Sequence, residues 1–142
     1  MNFIDKIYQT ADKSGTLEFH SVLGSALPPG PLGYYTLFAI FTAPGAATHQ
    51  PLTGKLMPPN PQQPRVLISL SGGVSKGYLG KGSDGRSIYA QTSLSYVIAY
   101  GAPTDANGIP AKLSLQHSFV EDTDQNSEKL SIGTPTDYIL QN

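Results

Sequence analysis

The sequence predicts an all-β fold, a single antiparallel β-sandwich of jelly-roll type or a closed β-barrel of about seven or eight strands. Three observations carry this. Short runs of β-branched and aromatic residues recur along the 142-residue chain, and no long helical period runs through it. Fifteen glycines and twelve prolines cut those runs at turn-like places. One run, Gly33–Thr42 (GYYTLFAIFT), is ten residues long, carries no charge and is apolar on both parities. Such a strand is expected to be covered on both faces, at the centre of the architecture.

The length suits one domain with a real core. The expected organisation is an N-terminal arm or short helix over residues 1–13, followed by a single β domain over 14–142. Within the first segment, Ile4, Ile7, Tyr8 and Ala11 fall at helical spacing, with Asn2 or Asp5 as cap. The same density of apolar residues suits an arm that docks elsewhere. On that view, removal of residues 1–13 leaves the fold intact and abolishes oligomers.

Thr16–Gly24 reads as the first strand, with Leu17 and Phe19 on one face and Glu18 and His20 on the other. Nine of the twelve prolines lie between Pro28 and Pro64, which makes this region loop, edge or polyproline-like because proline donates nothing to a ladder. Gln50–Met57 fits an edge strand between two proline groups, and residues 58–64 fit a structured loop. Arg65–Val74 alternates as a half-buried strand. Ser87–Tyr100 is long for one strand, and a bend near Gln91–Ser93 divides it. Lys112–Glu121 alternates most cleanly, with Leu113, Leu115, His117 and Phe119 on the apolar parity. Glu128–Ile132 completes a hairpin with it, and Thr136–Leu140 is a short apolar tail.

Few functional motifs survive inspection. Gly80–Gly85 (GKGSDG) matches G-x-G-x-x-G in letters, but strand-like residues follow it, so no helix N-terminus is available for a phosphate. It reads as a glycine-rich hairpin. Asp122, Asp124 and Asn126 place oxygen ligands at alternating positions, yet Ser127 and Gly133 stand where a calcium loop needs Gly and Glu. Calcium, with Glu128 and Asp105 assisting, is the one cofactor left open; an Asx-rich turn is the commoner reading. His20, His49 and His117 are too scattered to mark a zinc site. There is no Gly-x-Ser-x-Gly elbow and no cysteine, so neither a catalytic nor a metal residue is assigned.

Composition points elsewhere. Only 13% of residues are charged, against about 25% in a typical globular chain. Between Lys55 and Arg86 stand five bases (Lys55, Arg65, Lys76, Lys81, Arg86) and one acid, Asp84, giving +4. From Gly101 onward, six acids and two bases give −4. The two segments suit either pairing between molecules or proximity within one fold. A net charge of −1 provides no field for nucleic acid. Met1–Thr10 lacks an apolar signal core, and no run reaches the length of a membrane span, which suits a cytoplasmic chain or one exported without a cleaved leader.

The expected function is therefore non-enzymatic. The chain reads as a self-assembling structural subunit of a filament, sheath or other homo-oligomer, partnered by copies of itself, with Phe3–Tyr8 and Tyr138–Leu140 as exchanged apolar arms. The alternative is a small-molecule or glycan-binding barrel whose cavity Phe38, Ile40, Tyr96 and Ile98 would line.

Overall fold

The computed structural model describes residues 3–20, 34–46, 49–75, 78–85, 87–89, 92–106, 108–122 and 128–141. In chain order the strands are β1 (Ile7–Gln9), β2 (Thr16–His20), β3 (Tyr35–Thr42), β4 (Gln50–Met57), β5 (Val66–Ser75), β6 (Tyr78–Lys81), β7 (Ser87–Tyr89), β8 (Thr92–Gly101), β9 (Lys112–Asp122), β10 (Glu128–Ile132) and β11 (Thr136–Leu140). Every pairing is antiparallel. Around the ring the order is β1-β2-β3-β4-β5-β8-β9-β11, and β11 returns to β1. This is an eight-stranded up-and-down barrel in which sequence neighbours are spatial neighbours. Of sandwich and barrel, the chain forms the barrel.

The staves form where alternation sends apolar residues inward. Leu17 and Phe19 of β2, Ala39 and Phe41 of β3, Leu52 and Leu56 of β4, Val66, Ile68 and Leu70 of β5, Val97 and Ala99 of β8, and Leu113 and Leu115 of β9 are all buried. Tyr8 and Tyr138 complete the interior. Phe3 closes one mouth, its ring 5.2 Å from Phe19 and 6.3 Å from Tyr8. Burying each such side chain contributes about 1.5–3 kcal/mol, so the core is the main source of stability.

Several expectations need correction. Residues 7–9 form a strand, not a helix or a free arm: Tyr8 pairs with Leu140 and Leu17 and is buried. Tertiary pairing overrides the helical spacing because the segment's apolar side chains are needed inside the ring. Both chain ends are thereby staves of their own barrel. Gln50–Met57 is a strand over the expected residues but not an edge, since it lies between β3 and β5. The run at Tyr35–Thr42 buries Ala39 and Phe41 on one parity and only the terminal Thr42 on the other, where Phe38 and Ile40 are half-buried on the outside. The proposed strand residues beyond His20, through Gly24, lie outside the described residues.

Two irregularities shape the ring. At Gly54 the barrel bends so closely that an added Cβ would run into the backbone carbonyl of Ser69 and lie 2.9 Å from Leu70 Cα. The second is a β-bulge. Three residues lie between Ile132 and Thr136, while two lie between their partners Ser118 and Leu115, so β10 and β11 are two halves of one strand with one extra residue. Gly133 sits at the joint, its N–H donating to the His117 carbonyl at 2.8 Å. A Cβ there would lie 2.6 Å from that oxygen.

Deleting residues 1–13 is expected to abolish the cooperative thermal transition, because it removes a stave and exposes the edges of β2 and β11. A sharp melt near the full-length midpoint would show that β1 is dispensable. Gly54→Ala is expected to cost about 1–3 kcal/mol in urea unfolding, the range for overpacked sites.

Candidate interaction face

Alternation that fills the barrel also fixes what its outside presents. On β8, Val97 and Ala99 point in, so Leu94, Tyr96, Ile98 and Tyr100 point out, each 37–48% exposed. The register places Leu67, Ser69, Ser71 and Gly73 of β5 beside them on one side. On the other side stand Ser114, Gln116, Ser118 and Val120 of β9. Leu130 and Ile132 of β10 follow, opposite Val120 and Ser118, and are the most exposed large apolar residues described, at 60% and 66%. These fourteen outward positions, four on each of β5, β8 and β9 and two on β10, carry no charge.

Charges bound this face. The Arg65 guanidinium lies over the Tyr100 ring at 4.9 Å, at the corner where Met57 is also exposed. Lys55 Nζ stands 4.5 Å over the Tyr34 ring. Lys112 and Asp137 form an exposed pair at 3.7 Å beyond β9. Lys81, at the end of β6, and the β9–β10 junction, where Glu128 pairs with Asp122, both lie at the Thr92 end of β8.

The four residues assigned to a barrel cavity do not line one. Tyr96 and Ile98 are exposed on the outer face, and Phe38 and Ile40 lie on the outer parity of β3. The other parity points inward in both strands because Ala39, Phe41, Val97 and Ala99 fit the interior. The polar candidates disperse as well. His20 lies 3.4 Å from Glu18 and near Phe38. His49 Nδ1 is 2.6 Å from the Thr42 hydroxyl. His117 is inside, its Nε2 3.0 Å from the buried Ser95 hydroxyl and its ring 4.8 Å from Phe41. Among the described residues no group of three or more His, Asp or Glu could hold a metal.

The glycine motif lies at the β6–β7 hairpin tip, where Gly80 and Gly85 take positive φ and the Gly85 N–H donates to the Gly82 carbonyl at 3.0 Å. Of the calcium candidates, residues 123–127 lie outside the described residues. Asp105 is on the β8–β9 connection at the opposite end of the barrel, where its Oδ1 accepts the Ile109 N–H at 3.0 Å. It therefore does not assist that turn. The prolines at 58–64 form a loop held by Asn60, whose Oδ1 accepts the N–H groups of Gln62 and Gln63.

Sequence reasoning missed two buried tyrosines. The Tyr8 hydroxyl donates to the Pro110 carbonyl at 2.7 Å, and burial, with a smaller effect of Asp105, pushes its pKa well up. Burial, followed by the charge of Asp12, raises Tyr138 to about 12. Both look like tail residues in sequence, because strands of three and five residues are too short to display a period.

The molecule is thus a filled eight-stranded barrel with one broad uncharged outer face. Comparison with family models, curated proteins and solved structures finds no match. No helix among the described residues is long and apolar enough to cross a membrane.

Burial lowers the pKa of His117 below its usual 6.5. The unfolded chain therefore binds this proton more readily, and the contribution of neutral His117 is present above about pH 6.5 and lost as pH falls below it. Asp12 acts in a separate window. Hydrogen bonds from the Thr10 and Ser14 hydroxyls and the Ser14 N–H hold it at about 2, so its contribution disappears only below its ordinary 3.8. His117→Gln is expected to flatten the urea midpoint between pH 7.5 and 5. Parallel slopes for the variant and the parent would remove His117 as the cause.

Proposed function

We propose that the chain is a non-enzymatic assembly subunit, whose partners are copies of itself and whose contact surface is the outer face centred on β8. One observation carries the reading: fourteen neighbouring outward positions without a charge. Leu94, Tyr96, Ile98, Tyr100, Leu130 and Ile132 are exposed there, with Met57 at the corner, and a contiguous exposed apolar patch marks an interaction site. A standard interface takes about 800 Å² from each partner. Tyrosines mixed with aliphatic residues, and charge depletion at the centre, match the composition of interface cores. Sheet faces pack face to face with interdigitated side chains.

Placing a charge at the centre tests this. Ile98→Lys leaves the interior untouched, because Ile98 points outward, and is expected to convert an oligomer to monomer in light scattering with an unchanged melting temperature. A parent protein that stays monomeric across micromolar to millimolar concentration would refute the proposal.

A further inference from the structure

The face ends at β10, and β10 has a property that the other staves lack. The β1–β2 turn follows Gln9, and β1 pairs only with Leu140 and Ile139 of β11, near the foot of the bent last strand. β11, the lower half of that strand, closes the barrel. β10, the upper half, pairs among the described residues with β9 alone. Among the described residues its second edge is open.

The hydrogen-bond phase of that edge follows from the bulge. The Gly133 N–H donates to the His117 carbonyl, so residue 133 points its polar backbone at β9. In an antiparallel pair such residues alternate. Residues 131 and 129 therefore also face β9, and Leu130 and Ile132 direct their N–H and C=O groups to the open edge. Their side chains are the most exposed large apolar ones described. An edge with ordered free donors and acceptors and with apolar side chains is a template for strand addition.

The geometry points to a second copy of this chain as the occupant, joined by antiparallel β10–β10 pairing about a two-fold axis at Leu130. That register opposes residue 130 to itself and residues 128 and 132 to each other, so all five strand residues overlap and each outward N–H meets a C=O. It also brings the two outer faces side by side through β8-β9-β10 and its symmetric copy. This inference rests on the assembly reading and extends it. An isologous face contact alone closes at a dimer; edge and face together are the two interfaces that a growing structure needs.

The chain has no cysteine, so a single introduced thiol reports cleanly. Residues opposed in a hydrogen-bonded antiparallel pair have Cα atoms about 5.5 Å apart, within the range that a disulfide of about 4.4–6.8 Å accepts. Leu130→Cys is expected to give a disulfide-linked dimer under mild oxidation, while Ile139→Cys, also exposed but on β11, stays monomeric in denaturing electrophoresis. Ile132→Pro removes an N–H that β9 does not use, and is expected to halve the native mass while the melting temperature holds. If Leu130→Cys fails to link and Ile132→Pro leaves the mass unchanged, in a parent oligomer that Ile98→Lys dissociates, the edge inference falls and the face reading stands. A parent that is monomeric throughout and gives no linked Leu130→Cys dimer overturns both.

Discussion

The pairing of β1 with β11 is the constraint on which the molecule depends. It joins Tyr8 to Leu140 and Gln9 to Ile139, bringing the two chain ends into one sheet. The contact is short, yet without it every other pairing would still leave an open sheet with two exposed edges. Closure also places Tyr8 and Tyr138 in the core, where Tyr8 reaches the Pro110 carbonyl across 102 residues of chain. The core therefore includes both the first and the last strand.

One inserted residue then divides the last strand between two tasks. Below the bulge at Gly133, β11 completes the ring; above it, β10 leaves the ring and extends the outer sheet. The glycine is required because the His117 carbonyl occupies the space of a Cβ. His117 is held in turn by Ser95 and Phe41, so interior packing and the departure of β10 are coupled at one position. The broad face on β5, β8, β9 and β10 follows from this geometry. A barrel without the bulge would end its sheet at β9 and β11 and present a narrower surface.

Charge placement is consistent with that division. Arg65 and Lys55 lie over the rings of Tyr100 and Tyr34, and Lys112 pairs with Asp137, all around the uncharged area and none within it. The low charge content of the sequence is therefore not spread evenly over the surface. It is concentrated as absence on one side, where serines alternate with tyrosine, leucine and isoleucine.

Much of the local structure was legible in the residues. Alternation at Lys112–Asp122 and Val66–Ser75, and the turn chemistry at Gly82–Gly85 and Asn60–Gln63, depend on neighbours a few residues apart. The sequence by itself determined an all-β chain, its main strands and the inward parity of residues such as Leu113 and Leu115. It did not determine which parity of β3 and β8 faced inward, because Phe38 and Phe41, or Tyr96 and Val97, are apolar on both. It also left residues 7–9 and 136–140 as loose ends, since a strand of three to five residues has too few positions to display a period. Tertiary structure decided these matters. Only closure of the ring sets which parity meets a filled interior, and only the pairing with Leu140, at the far end of the chain, makes Tyr8 a core residue.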